Sequence, residues 1–228
     1  MEIQDNRKKA KESLRRFMGD GRAEKLLSEI DESMNKYVAA MKQVTTYVEI
    51  LQNDINRQFD YNPIDHISYR LKSPQSIIQK MRKDKLNFDV NTMEKHITDI
   101  AGIRIVCSFE DDIFKIVEII KNNSDYILFK EKDYVSNPKP SGYRSYHLIF
   151  YVSVHLLDGT QQVPVELQIR TMAMDFWASL EHEIKYKNNG IIPDYIKQEL
   201  QNCSKISDEL DVKMLEIKNM VNEKKTKK

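Results

Sequence analysis

Apolar and polar residues alternate in the second half of the chain, which is the pattern of a strand with one buried face. In Val163–Thr171 the apolar face consists of Val165, Leu167 and Ile169, and the polar face consists of Glu166, Gln168 and Arg170. A strand of a soluble domain rarely places an acid, an amide and a guanidinium on one face unless a polar ligand meets them. The pattern therefore predicts a strand that carries a polar site.

A second segment, Lys139–Tyr151, shows a similar pattern. His147, Ile149 and Tyr151 share one strand face, and the run Ser141–Tyr143 predicts a turn before it. Two such strands side by side would present a carboxylate, an imidazole and an exposed tyrosine to one cleft. We interpret this as an active site, with an ordinary edge hairpin and a solvated polar face as the alternative.

Both ends of the chain have helical periodicity. Apolar residues recur at alternating spacings of three and four along Leu27–Ile55 and again along Ile196–Val221, which predicts two long amphipathic helices. Residues 1–18 predict a charged helix that ends at Gly19–Gly21, and Pro193 precedes the C-terminal helix. The first long helix is expected to run from about residue 22 to residue 58.

Between these helices, residues 63–170 mix strand-like and helical runs. The clearest are a helix after Ser73–Pro74, a strand over Ile103–Phe109, a helix over Ile113–Ile120 and a helical stripe over Phe176–Ile184. The predicted fold is α+β, with a mixed β-sheet core flanked by N- and C-terminal helices. The predicted regions are an N-terminal helical region (1–62), a core domain (63–190) and a C-terminal helix with a basic tail (191–228).

Composition narrows the function classes. The chain has 228 residues and a net charge of +1, with 36 basic and 35 acidic residues. Because there is no global basic field, we expect no stable nucleic-acid partner, and phosphate binding must come from a local cluster. Cys107 and Cys203 lack metal-ligand spacing, which favours a reduced, cytoplasmic protein. No apolar run has the length of a membrane span, and we expect no signal peptide in the charged start.

One local cluster surrounds the predicted helix after Ser73. Ser73 fits an N-cap and Pro74 the first helical position, and Ser76 and Lys80 share a helix face. With Arg70 and Lys72 nearby, this helix N-terminus would suit a polyphosphate. On this segment alone, the favoured interpretation is a capped surface helix with solvated lysines.

A carboxylate precedes the strand of Ile103–Phe109. Asp99 at a strand entrance is ordinarily a cap or turn residue, but Glu166 on another strand could be its partner. Two carboxylates that face a phosphate site are a usual means of holding Mg²⁺ against a nucleotide. Arg104 lies on the polar face of this strand, where it could stack on a base or neutralise phosphate.

A second basic cluster lies just before the polar strands. It combines Lys132 and Lys139 with the turn residue Tyr143. Basic side chains beside an exposed aromatic ring suit a second nucleotide, with stacking for its base and ammonium groups for its phosphates.

Five motifs in order resemble the synthetase domain of the RelA/SpoT family, over about residues 63–190. They are R-x-K (Arg70, Lys72), D-I-A-G-I-R (Asp99–Arg104), K-D-Y (Lys132–Tyr134), K-P-S-G-Y-R-S-Y-H (Lys139–His147) and E-L-Q-I-R-T (Glu166–Thr171). Together with Met174–Lys187, they make the chain similar to a small, single-domain alarmone synthetase with a nucleotidyltransferase-like core. The segments around Asp99 and Phe176 resemble the RelP-like branch more than the RelQ-like branch.

The resemblance implies transfer of the β,γ-pyrophosphate of ATP to the 3′-hydroxyl of GDP or GTP, with GMP left open as an acceptor. It implies that Arg70 and Arg104 sandwich adenine, and that Lys72, Ser76 and Lys80 hold the ATP phosphates. It implies that Asp99 and Glu166 bind Mg²⁺, and that Glu166 also activates or orients the acceptor hydroxyl. For the acceptor nucleotide it implies that Tyr143 stacks on guanine and that His147, Lys132 and Lys139 bind the phosphates. It also implies that Gln168 lies close to the acceptor hydroxyl. Ser141 stands where many long enzymes of the family have asparagine, so its acceptor contact carries over less directly.

Two other functions fit parts of the pattern. A generic nucleotidyltransferase also pairs strand-borne carboxylates with Mg²⁺, but it would release pyrophosphate instead of AMP. A catalytically silent nucleotide- or RNA-binding regulator is the third interpretation. It is disfavoured because both carboxylates and every cationic motif position are present.

The helical stripes Leu27–Ile55 and Ile196–Val221 are longer than one small sheet needs for its cover. Packing within the chain is one explanation. We instead expect a homo-oligomer assembled through both ends, and the resemblance to small synthetases implies a tetramer.

Overall fold

The computed structural model describes residues 2–58, 60–187 and 192–226, which form seven helices and five strands. In chain order they are α1 (Glu2–Met18), α2 (Asp20–Gln58), β1 (Ile64–Leu71), α3 (Pro74–Lys83), α4 (Val90–His96), β2 (Ala101–Cys107), α5 (Glu110–Lys121), β3 (Tyr126–Asp133), β4 (Tyr146–Leu156), β5 (Gly159–Thr171), α6 (Met172–Lys187) and α7 (Asp194–Thr226).

The strands form one sheet in the order β1-β2-β5-β4-β3. β2 and β5 are parallel and the other neighbours are antiparallel, so the predicted α+β fold with a mixed sheet is confirmed. β5 is the central strand, and Glu166 on it lies opposite Gly102 of β2 and Ile149 of β4. The topology therefore brings the polar residues of three strands together around Glu166.

Helix α2 covers one face of this sheet and packs against β1, β2, β4 and β5. Its buried residues are Ala23, Leu26, Leu27, Ile30, Tyr37, Ala40, Met41, Val44, Thr45, Val48 and Ile55. We expected part of this stripe to serve assembly. That expectation is wrong for the N-terminal stripe, because it forms the hydrophobic core of its own chain, where each large apolar side chain stabilises the fold by about 1.5–3 kcal/mol.

The predicted break between the first two helices is confirmed. α1 ends at Met18, Gly19 has φ +75°, and α2 begins at Asp20. A positive φ is accessible to glycine at little cost, which explains why the helix ends there. α1 then packs against both α2 and α3.

Helix α7 docks on the domain with its polar side. Ser204 and Asp211 are buried, whereas many of its apolar residues are exposed. The exposed ones are Ile206, Leu210, Val212, Met214, Ile217, Met220 and Val221. Residues 188–191 of the predicted core and tail regions, and Lys227 and Lys228 of the basic tail, lie outside the described residues. Within the described ranges, no helix combines the length and hydropathy of a membrane span.

Candidate active site

Strand β5 separates core and site residues as its alternation predicts. Val165, Leu167 and Ile169 are fully buried on the side of α2, and Glu166 and Gln168 lie on the other face. The side chain of Glu166 is 14% exposed, so it is largely shielded but open to a cleft.

Hydrogen bonds hold Glu166 in its ionised form. His147 Nδ1 lies 3.1 Å from Glu166 Oε1, and Gln168 Nε2 donates to Glu166 Oε2 at 2.8 Å. Burial raises the pKa of Glu166, but the contacts with His147 and Gln168 outweigh it and keep the pKa below its ordinary value. The carboxylate is therefore a proton acceptor with a fixed orientation.

The tautomer of His147 follows from its neighbours. Arg170 can only donate, and its Nη2 donates to the Tyr143 hydroxyl oxygen at 2.7 Å. Because the ionised carboxylate of Glu166 can only accept, His147 Nδ1 must donate to it, and Nε2 then accepts from the Tyr143 hydroxyl at 2.8 Å. In neutral His147 the proton consequently resides on Nδ1, from which it is donated to Glu166.

Arg170 closes this network into a ring around Glu166. Besides the Tyr143 hydroxyl, its guanidinium donates to Gln168 Oε1 at 2.8 Å and to Asp175 Oδ1 at 3.0 Å. Arg170 is 4% exposed. Arg170 was predicted to lie on the polar face but not to be a site residue, and no role was predicted for Asp175 of α6. The sequence did contain a signal for Arg170, because it continues the two-residue spacing of Glu166 and Gln168 along the same strand face.

Asp99, just before β2, joins the two lysines predicted to bind phosphate. Lys72 Nζ is 2.9 Å from Asp99 Oδ2, and Lys80 Nζ is 2.8 Å from Asp99 Oδ1. Burial raises the pKa of Asp99, but the charges and hydrogen bonds of the two lysines hold it below its ordinary value. Ser73 is the N-cap of α3, as predicted, because its Oγ accepts from the backbone N–H of Ser76 at 3.3 Å. The interpretation of solvated lysines is wrong, since both converge on Asp99.

The two carboxylates line one cleft with a volume of about 110 Å³. Its walls are Ser68, Tyr69, Arg70, Asp99, Gly102, Ile103, Arg104, Glu166 and Gln168. Arg70 and Arg104 are thus brought to the same space from β1 and β2. Arg104 Nη1 also contacts Asp175 Oδ1 at 3.0 Å, so Asp175 connects Arg104 with Arg170.

The turn that precedes β4 carries or adjoins four of the residues predicted to bind the acceptor, Lys132, Lys139, Tyr143 and His147. Lys139 Nζ lies 4.6 Å from the ring centroid of Tyr143 and 4.5 Å from that of Tyr134. Lys132 lies opposite His147 in the β3–β4 register. Tyr134 was not predicted as a site residue, although its ring contacts both Tyr143 and His147.

Ser141 belongs to the same turn, between Lys139 and Tyr143. It lines a separate hollow between α6 and α7, together with Lys185 and Gln201 among others. Its predicted contact with the acceptor stays a prediction.

Comparison with known proteins gives a consistent result. Residues 69–191 match the sequence profile described as the region found in RelA / SpoT proteins. The chain is 43% identical over 185 residues to GTP pyrophosphokinase YwaC of Bacillus subtilis (strain 168), covering 81% of this chain and 88% of that protein. The structure of small alarmone synthetase 1 from Bacillus subtilis bound to its product pppGpp is similar, with a TM-score of 0.80, 34% identity and coverage of 85% of this chain and 98% of that chain. The same synthetase bound to AMPCPP gives a TM-score of 0.75 at 33% identity, with coverage of 86% and 99%.

Proposed function

The chain belongs to the RelA/SpoT family, and on that premise we propose that it is a GTP pyrophosphokinase. It transfers the β,γ-pyrophosphate of ATP to the 3′-hydroxyl of GDP or GTP, releases AMP, and so makes the alarmones of the stringent response. The observation that carries the proposal is the position of Glu166. It lines one cleft with Asp99, Arg70 and Arg104, and through His147 it is joined to Tyr143 on the acceptor side.

The chemical step requires positioning and one proton acceptor. The acceptor oxygen forms a bond to the β-phosphorus while the bond from that phosphorus to the α–β bridging oxygen breaks, and AMP leaves. The hydroxyl proton passes to Glu166, whose lowered pKa keeps it ionised. The hydrogen bonds from His147 and Gln168 orient the carboxylate, which supports in-line attack.

For ATP we propose that Arg70 and Arg104 sandwich the adenine and that Lys72, Ser76 and Lys80 hold the phosphates. The guanidinium groups line the cleft together with both carboxylates. Lys72 and Lys80 are paired with Asp99, so ATP binding would exchange these ion pairs for contacts with phosphate. The relative bound to AMPCPP is consistent with an ATP site in this fold.

For Mg²⁺ we propose Asp99 and Glu166 as protein ligands. The donor set fits, because both carboxylates line the cleft and neighbouring cations and hydrogen-bond donors lower the pKa of each. No cluster of three or more potential ligand side chains occurs among the described residues, so ATP and water would supply the others, as is usual for Mg²⁺. When bound, the ion would neutralise charge on the phosphates.

For the acceptor we propose that Tyr143 stacks on guanine, and that His147, Lys132 and Lys139 contact its phosphates. Gln168 would lie close to the hydroxyl, and Ser141 would add a contact from the turn. The cations around the Tyr143 ring support an anionic aromatic ligand. GDP, GTP and GMP share this chemistry, so all three are proposed as acceptors to be tested.

Acceptor dependence tests this function directly. Purified protein with ATP and Mg²⁺ should form AMP only when GDP, GTP or GMP is added, with one AMP released per acceptor consumed. AMP formed at the same rate without a guanine nucleotide would refute the proposal.

Substitution of Tyr143 by alanine should weaken guanine binding. Loss of stacking costs about 1–3 kcal/mol, which raises KM for GDP or GTP roughly 5- to 150-fold and leaves KM for ATP nearly unchanged. Steady-state kinetics with each substrate varied in turn measure this. Tyr143→Phe is the matched control, since it keeps the ring and removes only the hydroxyl contacts with Arg170 and His147. An equal loss for both substrates would contradict the stacking role.

We also propose that the protein is a cytoplasmic homotetramer. The apolar residues of α7 are exposed along a groove of about 770 Å³ whose walls include Phe109, Met172, Phe176, Leu210 and Met214. Exposed apolar surface of this extent ordinarily marks an interface, and a second copy of the chain supplies a matching one. The cysteines Cys107 and Cys203 are both free thiols, in keeping with a reducing compartment.

Leu210→Glu should dissociate the tetramer without unfolding the chain, because Leu210 is 54% exposed. Met41→Glu is the contrasting variant. Met41 is 8% exposed in the core, so a buried carboxylate there should prevent folding. Light scattering at micromolar concentration gives the mass and circular dichroism the fold. A wild-type mass of one chain that does not change with concentration would rule out the assembly.

A further inference from the structure

We propose that Gln201 and Ser204 of α7 are positioning residues for the guanine acceptor. They hold the turn Lys139–Ser145, which carries Tyr143, in its binding conformation. This role rests on the proposed function of Tyr143, and it assigns to α7 the positioning of the Tyr143 ring.

Two hydrogen bonds connect α7 to the turn. Ser204 Oγ donates to the carbonyl oxygen of Gly142 at 2.5 Å, and Gln201 Nε2 donates to the carbonyl oxygen of Pro140 at 2.6 Å. These carbonyls flank Ser141, so the helix holds the turn on both sides of its tip. Ser204 is 7% exposed, which shields its contact from water.

The fit between the helix and the turn is close. Gly142 has φ +90°, and a Cβ atom there would lie 2.6 Å from Ser204 Cβ. Within the turn, Gly142 N donates to Lys139 O at 2.8 Å and Lys139 N to Tyr143 O at 3.1 Å. Gly142 is therefore required both for its backbone conformation and for the approach of α7.

The residue after Tyr143 is held by the same helix. Arg144 contacts Asp208 of α7, and it also donates to Glu110 Oε2 at 3.0 Å and to the Val135 carbonyl at 3.1 Å. The turn thus lies between α7 on one side and the start of α5 on the other. Polar contacts therefore hold the turn from both sides.

Loss of the Gln201 and Ser204 contacts would loosen the tip of the turn around Ser141 and leave the helix docked. α7 keeps Asp211, which accepts from Thr171 Oγ1 at 2.7 Å, and Lys218, which contacts Asp111 at 2.8 Å. A turn that is mobile before binding must be ordered when guanine binds, and that ordering reduces affinity. The cost falls on the acceptor and not on ATP, whose proposed ligands lie on β1, β2 and α3.

The test compares the double variant Gln201→Ala/Ser204→Ala with Lys205→Ala, an exposed change on the same helix. Loss of two hydrogen bonds should raise KM for GDP and GTP on the order of tenfold. KM for ATP and kcat at saturating substrates should stay within about twofold. Amide hydrogen exchange at Gly142 should become faster in the double variant alone, while its mass and circular dichroism spectrum stay those of wild type.

The outcomes separate this inference from the proposed function. AMP formation by wild type and by Lys205→Ala establishes the activity, and its absence would refute the function itself. With that activity present, unchanged KM for the guanine nucleotides, or an equal rise in KM for ATP, would overturn the positioning role.

Discussion

Glu166→Gln is expected to reduce kcat by about 10²–10⁴-fold, because the amide cannot accept the acceptor proton. Weaker Mg²⁺ binding would add to the loss. ATP affinity should remain close to that of wild type, since the proposed phosphate ligands Lys72 and Lys80 are paired with Asp99, which the substitution leaves in place. Single-turnover kinetics give the rate, and isothermal titration calorimetry gives the ATP affinity.

The control for this variant is Glu49→Gln on the exposed surface of α2, where the same chemical change should have no effect. If Glu166→Gln retains activity within tenfold of wild type, Glu166 has a structural role and another base must act.

Arg170→Lys should lower kcat on the order of 10²-fold, although the positive charge is kept. The guanidinium of Arg170 binds Tyr143, Gln168 and Asp175 together, and a lysine ammonium lacks the planar fork that reaches all three. Gln168 and Tyr143 would then no longer hold Glu166 and His147 in place, and small displacements of catalytic groups are costly. Steady-state kinetics measure the change.

Arg57→Lys is the matched control, because Arg57 is exposed at the end of α2. Thermal unfolding of both variants should separate lost activity from lost stability. A kcat for Arg170→Lys within threefold of wild type would contradict the organising role of Arg170.

The polar face of β5 could be predicted because alternation is a local property. Glu166, Gln168 and Arg170 must share one face of a regular strand, whatever fold surrounds that strand. Asp99, Lys72 and Lys80 were also predicted as site residues from the sequence, but the ion pairs between them could not be predicted. Periodicity identifies which residues share a strand or helix face, but it does not identify the residues of other elements that contact this face.

The edge strands were missed for a related reason. β1 and β3 lie at the two edges of the sheet, and in each only the first residue is buried, Ile64 and Tyr126. Without an alternating buried face, such segments lack the signal that marks a strand. The same edge position leaves Arg70 on β1 and Lys132 on β3 exposed to ligands.

The two long helices had similar sequence patterns but different environments. The stripe of α2 is buried against the sheet, whereas Leu210 and Met214 of α7 are exposed because polar residues form its docked face. Asp175 is a further example, since its link between Arg104 and Arg170 depends on how α6 begins after β5. These distinctions depend on tertiary packing, which the pattern of one segment does not contain.

The most direct measurement of the central claim follows the γ-phosphate of ATP. Protein, Mg²⁺, γ-labelled ATP and GDP or GTP are mixed, and the nucleotides are separated after partial reaction. Transfer of the β,γ-pyrophosphate predicts that the label appears in a guanine nucleotide with two added phosphates, in equal amount to AMP, and that Glu166→Gln lowers the rate of both products by about 10²–10⁴-fold. Label that stays in ATP or appears as free pyrophosphate would contradict the account.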